Sequence, residues 1–190
     1  MRPYPRELEE IVTASDGQQL LLRPVRPEDE EAFQVNFAKF SPEAVRRRFF
    51  APMKSLTQAA ASKLTHLDYE GEMALVLTDP VPPERGTPEG YGVARMVIDP
   101  EGRSAEFALI VRDDMIGKGL GTLLTQRLIA YARERGVLEI VGDVLPDNAP
   151  MLALCRSLGF TIEPRRHGSD PVRLRLHFDD PAEPGRTFAS

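Results

Sequence analysis

A chain of 190 residues, 42% hydrophobic and 28% charged, has the makeup of one globular domain with a single core. No apolar run approaches the roughly 20 residues that cross a bilayer, and a net charge of -5 argues against nucleic acid as a partner. The lone cysteine, Cys155, has no internal disulfide partner and no charged-then-apolar signal opens the chain, so a reducing cytoplasm is the expected compartment.

In chain order, residues 1–7 are expected to be loose, residues 8–178 to form the domain, and residues 179–190, "DDPAEPGRTFAS", to be a frayed tail. "LEEIVTASDGQQLLLRPV" reads as two strands about the turn Asp16-Gly17. After Pro27, early acids and the helical spacing of Phe33, Phe37 and Phe40 predict a helix. Ser41 as cap, Pro42 and Glu43 open a second helix, whose run Arg46, Arg47, Arg48 reads first as a solvated face, with a small basic patch as the alternative. A third helix is expected over Thr57 to Leu67.

Three short apolar segments, "EMALVLTD", "YGVARMVID" and "SAEFALIVRD", then predict strands, the first two separated by the loop "DPVPPERGTPEG". From Gly119 to Arg135 the residues Leu120, Leu123, Leu124, Leu128 and Tyr131 recur at three- and four-residue intervals, the clearest helix in the chain. "EIVGDVL" is a buried strand; Asn148 and Gly159 bound another helix; Phe160 to Pro164 and Val172 to Phe178 close the chain as strands. The order predicts a mixed α/β (α+β) domain around one sheet.

"VRDDMIGKGLGTLL" asks why Gly117, Gly119 and Gly121 stand at alternate positions before an apolar helix. A strand, a glycine turn and a helix start aim unpaired N–H groups and the positive end of the helix dipole at one point, which suits a phosphate. The spacing fits neither the nucleoside-triphosphate loop nor the dinucleotide fingerprint. A tight turn without a ligand is the competing reading.

The same segment, continued as "TQRLIAYARERG", resembles the acyl-CoA loop of the GNAT acetyltransferases, and "DNAPMLALCRSLGF" is similar to a later motif of that superfamily. "LLLRPVRPEDEEAF", "SPEAVRRRFF", "DYEGEMALV" and "AEFALIVRDDMIGKGLG" resemble the acetyltransferase domain of bacterial protein-lysine acetyltransferases. The resemblance implies one mixed, mostly antiparallel sheet flanked by helices, with strands splayed around acetyl-CoA as acyl donor. It implies that the loop around Gly117, Lys118, Gly119, Leu120, Gly121 and Thr122 holds the pyrophosphate and that the edge Leu109, Ile110, Val111 bonds the pantetheine. Asn148 matches the family asparagine near the pantetheine, or is a plain helix cap. Ile116 replaces the expected glutamine or arginine, and Lys118 is the expected source of compensating charge.

Attack on a thioester needs a neutral amine, and a lysine of pKa ~10.4 is protonated at pH 7, so a general base is required. Glu106 interrupts an apolar strand, shares a face with Ala108 and Ile110, and is the expected base; a surface glutamate is the alternative. The resemblance implies the same role for it. Cys155 falls where many relatives carry a tyrosine acid; a weak proton donor, a buried filler and a nucleophile are its three readings. Asp68, Tyr69, Glu70 and Glu72 are a candidate acidic rim for the acceptor.

His66, His167 and His177 have no metal-site spacing, so no metal is expected. The resemblance implies transfer to an amine, first of all a protein lysine such as one on an acyl-CoA synthetase. A small-amine acetyltransferase and a non-catalytic acyl-CoA sensor are the alternatives. No membrane partner is expected, and a monomer and a homodimer both remain open.

Overall fold

Asp16 turns the chain as expected: β1 (Glu10–Thr13) and β2 (Gln19–Pro24) form an antiparallel hairpin in which Gln18 N donates to Asp16 Oδ1. The computed structural model describes residues 2–81, 84, 86–163 and 170–178. A 3-10 turn at Pro27–Asp29 leads into α1 (Glu30–Phe37), shorter than the phenylalanine spacing alone implies. Ser41 caps α2 (Pro42–Phe49), accepting from Ala44 N at 3.1 Å, and Thr57 does the same for α3 (Gln58–Thr65) from Ala60 N at 3.2 Å.

The remaining elements are β3 (Glu72–Thr78), β4 (Gly90–Ile98), β5 (Ser104–Val111), α4 (Leu120–Glu134), β6 (Glu139–Val144), α5 (Ala149–Ser157), β7 (Thr161–Ile162) and β8 (Val172–His177). Of the strand expected from Phe160 to Pro164, the two residues Thr161–Ile162 form β7, and Pro164 lies outside the described residues. The strands make one sheet in the order β1-β2-β3-β4-β5-β6-β8-β7. All neighbours are antiparallel except β5 and β6, which run parallel because α4 carries the chain back along the sheet. The expected mixed, mostly antiparallel sheet flanked by helices is what forms.

Alternation along β5 decides which residues meet which layer. Leu109 and Val111 turn toward Gly121 of α4, while Ile110 faces α1 and α2 on the other side. Leu120, Leu124 and Leu128 are buried along the inner face of α4, each contributing about 1.5 to 3 kcal/mol by leaving water. On the opposite side Phe37, Val45, Leu56 and Ala61 form a separate small core that gathers α1, α2 and α3.

Residues 2–7, expected to be loose, are tied down. Arg2 N donates to Asp68 O at 2.9 Å, Tyr4 OH donates to Glu9 at 2.8 Å, and the Tyr4 ring meets Tyr69 edge-on at 5.8 Å. The aromatic at position 4 supplies the anchoring that composition did not reveal. The expected frayed tail, 179–190, lies outside the described residues.

Candidate active site

The parallel pair β5–β6 is short. Ser104, Ala105 and Glu106 register with Glu139, Ile140 and Val141, and there the ladder stops. Beyond it β6 continues against β8 while β5 continues against β4, so Phe107 to Val111 have no partner on the β6 side. Phe107 and Gly142 sit at the branch: a Cβ on Gly142 would stand 2.6 Å from Phe107 Cε1. The Phe107 ring is held in turn against Phe160, centroids 5.1 Å apart, so an aromatic wedge fills the fork. The result is an edge of unused N–H and C=O groups able to receive an amide-bearing arm as an added strand would be received.

That edge forms one wall of a cleft of about 640 Å³. Its end is the turn from Arg112 to Gly119, where the guanidinium of Arg112 bonds both oxygens of Asp114 at 2.7 and 2.8 Å, reaches Glu89 at 2.8 Å and covers the Tyr91 ring at 4.6 Å. The turn is therefore fixed before any ligand arrives. Gly117 and Gly119 have φ of +81° and +80°, the left-handed region that costs an ordinary L residue roughly 1 to 2 kcal/mol. Gly119 caps α4 without a side-chain bond, which leaves the first N–H groups of the helix open to the cleft with the positive end of its dipole behind them.

The cleft gathers most of the residues expected from sequence: Leu109, Ile110, Val111, Ile116, Gly117, Gly119, Leu120, Gly121, Thr122 and Asn148 all line it. Asn148 does both things asked of it, since Oδ1 accepts from Met151 N at 3.3 Å as the α5 cap while the residue faces the cleft. Lys118 is the exception. Its ammonium lies 2.8 Å from Asp16 Oδ2 in the β1–β2 turn, and its carbonyl accepts from Ser15 N, so its charge holds the hairpin to the loop instead of facing the cleft. Ile116 is 58% exposed in the lining and brings no charge. An anion here relies on backbone donors and the helix dipole.

The arginine run is not one solvated face. Successive residues on a helix point about 100° apart, and the three go to three places. Arg46 pairs with Glu43 at 2.8 Å and with Asp147 in the turn before α5, bracing α2 across the mouth of the cleft. Arg47 lines the cleft, its Nε 2.8 Å from Glu43 Oε1 but not aligned for a hydrogen bond. Arg48 turns inward over the Phe49 ring, 4.8 Å from its centroid. Burial pushes the Arg48 guanidinium down to about 10, the nearby positive charge of Arg95 adds to this, and Glu106 opposes it. Sequence reading missed Arg47 and Arg48 as site residues; their signal was position on a helix that follows a capped, proline-started turn.

Glu106 is the last residue of the short β5–β6 ladder and is exposed on the face that carries α2. Across from it on β4 stands Val97, and the next rows of that face are Arg95 opposite Ala108 and Val93 opposite Ile110. The carboxylate thus stands at the fork, on the far side of the sheet from α4. Beneath α1, α2 and α3 this face also bounds a largely apolar cavity of about 70 Å³, with Phe33, Phe37, Arg48, Arg95 and Ile110 among its walls. Ile110 borders both cavity and cleft.

The expected acidic rim is committed to structure. Asp68 Oδ1 accepts from Glu70, Gly71 and Glu72 N–H groups at 2.9 Å each; burial works against its charge, yet these bonds hold the carboxyl below its usual range. Tyr69 donates to Val25 O at 2.8 Å from a left-handed backbone, and Glu72 pairs with Arg95 at 2.5 Å. His66 lies 4.0 Å from Glu30 and His177 3.6 Å from Glu139, while His167 is outside the described residues. Among the described residues no group of three metal-ligating side chains forms, and no helix is long and apolar enough to cross a membrane.

The cleft thus joins a glycine turn at a helix start to the open edge of a splayed parallel pair. The sequence model of the family "Acetyltransferase (GNAT) domain" matches residues 19–161. The chain belongs to the GNAT acetyltransferase family. An acetyltransferase of Pseudomonas aeruginosa is 31% identical over 166 residues, covering 87% of this chain and 88% of that protein. Acetyltransferase Pat of Mycolicibacterium smegmatis is 33% identical over 153 residues, 78% of this chain but 43% of Pat, so this GNAT chain spans less than half of that relative. Among solved structures, the GNAT domain of S. lividans PAT superposes with a TM-score of 0.81 at 29% identity, covering 93% of this chain and all of that one.

In this GNAT chain Cys155 is fully buried inside α5, does not line the cleft, and burial pushes its thiol up to about 12. Of its three sequence readings, the buried filler fits: a thiol so placed neither meets a leaving group nor attacks a thioester. Cys155→Ala is expected to leave acetyl transfer within about twofold while lowering stability by about 1 kcal/mol through the lost sulfur. Native protein at pH 8 is expected to resist iodoacetamide until it is unfolded. Labelling before unfolding would show that the thiol is reachable.

Proposed function

We propose that this protein transfers the acetyl group of acetyl-CoA to a primary amine, with Glu106 as general base. The observation that carries the reading is the joining of two features in one cleft, the open N–H groups from Gly117 to Thr122 and the unpaired edge of β5, with the Glu106 carboxylate at the fork of that edge on the opposite face of the sheet. The residues present fit acetyl-CoA. The cradle at Gly117 and Gly119 has no atom within 4 Å of where a side chain would stand, which leaves a phosphate room to approach the backbone. Leu109 to Val111 offer main-chain groups to the pantetheine amides, and Asn148 borders the same path.

Acetyl-CoA supplies the acetyl group as a thioester. Glu106 takes the proton of the attacking nitrogen, directly or through a water, as the carbon–nitrogen bond forms and the carbon–sulfur bond breaks. With Cys155 buried, the departing thiolate takes its proton from water. A thermal-shift titration with acetyl-CoA tests the reading without knowledge of the acceptor. At 100 times the dissociation constant the ligand adds about 2.7 kcal/mol, which corresponds to a rise of roughly 5 to 10 °C for a chain of this length. The absence of any rise with acetyl-CoA or longer acyl-CoAs would overturn it.

Two acceptors are open. Likeness to Pat and to the S. lividans PAT domain supports the protein lysine that the sequence resemblance implied. The small, largely apolar cavity on the Glu106 face of the sheet, with Arg48 and Arg95 in its wall, favours a small amine.

A further inference from the structure

We propose that the acceptor is a small amine bearing a carboxylate beside its amino group and a compact apolar side chain, an amino acid or close analogue, with Arg48 as the anchor of its carboxylate. The inference rests on the acetyl-transfer reading and names its acceptor.

It follows from a charge account of the α1–α3 face. Arg23 and Asp29 satisfy one another through two bonds of 2.7 and 2.6 Å. Asn36 gives its amide hydrogens to Ala32 O and Pro88 O and accepts from Gly90 N, each near 3 Å. Arg95 is spent on Glu72 and on the carbonyls of Lys63 and Leu64 at the end of α3. Arg48 is left over. It lines the cavity, and among the described residues no carboxylate or carbonyl meets its guanidinium, which stacks over the face of Phe49. Its charged neighbours are the like charge of Arg95 and the single acid Glu106.

The Arg48 guanidinium is partly exposed and has no acceptor among the described residues, so a bound carboxylate can take its fork of donors without displacing a protein partner. Glu106 on the same face of the sheet calls for an amine, Arg48 in the cavity wall for an anion, and the apolar lining for a small hydrocarbon group. An α-amino acid presents these three groups on adjacent carbons. A protein lysine presents its nitrogen at the end of an uncharged stem, which leaves Arg48 unmatched. In the transfer itself the amino nitrogen bonds to the acetyl carbon, coenzyme A leaves as the thiol, and the proton released from nitrogen goes to Glu106.

The test is acetyl transfer by the full chain from acetyl-CoA, read by product mass and kcat/KM, to L-leucine, L-methionine and L-phenylalanine, to the corresponding decarboxylated amines, and to a peptide with one lysine. At least one amino acid is expected to exceed its decarboxylated partner by about 100-fold in kcat/KM, the scale for losing a buried charged hydrogen-bond partner. In Arg48→Met that ratio is expected to fall below tenfold through a higher KM for the acid, with Arg48→Lys in between. Circular dichroism checks that both variants fold. Peptide lysine as the best acceptor, or a ratio indifferent to Arg48, would overturn the proposal and leave acetyl transfer standing. Binding of acetyl-CoA with no amine turned over would overturn the proposal and the catalytic reading together, in favour of a sensor.

Discussion

Glu106→Gln is expected to lower turnover by about 100-fold or more, the range for losing a general base, while acetyl-CoA raises the melting temperature as much as in the parent. The two readouts separate because Glu106 does not line the cofactor cleft; it stands at the fork on the opposite face. Glutamine keeps the size and the hydrogen-bonding oxygen but cannot accept a proton at neutral pH. Because the side chain is exposed, stability is expected to change by no more than about 0.5 kcal/mol, so lost activity cannot be put down to unfolding. Coenzyme A release followed with a thiol reagent measures turnover, once an accepted amine is in hand. A variant that retains turnover within threefold would remove Glu106 from the chemistry and return it to an ordinary strand-surface acid.

Much of this arrangement was legible in the residues, and what was not has a common physical cause. Features written in local chemistry came through: the Asp16 turn, the Ser41 and Asn148 caps, the apolar stripe of α4 and the alternation that sets Glu106, Ala108 and Ile110 on one face. Features that depend on a distant partner did not. Lys118 looked like spare charge beside a phosphate site, but its ammonium is neutralised by Asp16 from the far end of the chain. The run Arg46 to Arg48 looked uniform, but Asp147, the cleft and the cavity take one residue each. Tyr4 and Asp68 fasten a terminus that composition marked as loose. The splay of β5 from β6 was implied by resemblance alone, since its physical origin, the Phe107 ring against Gly142, is a contact between two strands that read as ordinary apolar runs.

Gly119→Val tests whether the glycines exist for a ligand or for the turn. The residue begins α4 at φ +80°, where a β-branched side chain is strained, so a loss of about 1 to 2 kcal/mol and a fall of roughly 2 to 8 °C in melting temperature are expected without ligand. That much follows for a plain structural turn as well. The discriminating quantity is what acetyl-CoA then adds. A backbone that relaxes away from the left-handed region turns its N–H groups off the point where they now converge, and each bond lost to a charged phosphate costs about 1.5 to 3 kcal/mol. Two such losses weaken binding at least 100-fold, so at a concentration equal to 100 parental dissociation constants the ligand's contribution drops from about 2.7 to about 0.4 kcal/mol. The parent is thus expected to gain several degrees where the variant gains one or two. Equal gains in both proteins would mean that the cradle holds no phosphate and that Gly119 serves the turn from β5 into α4 alone.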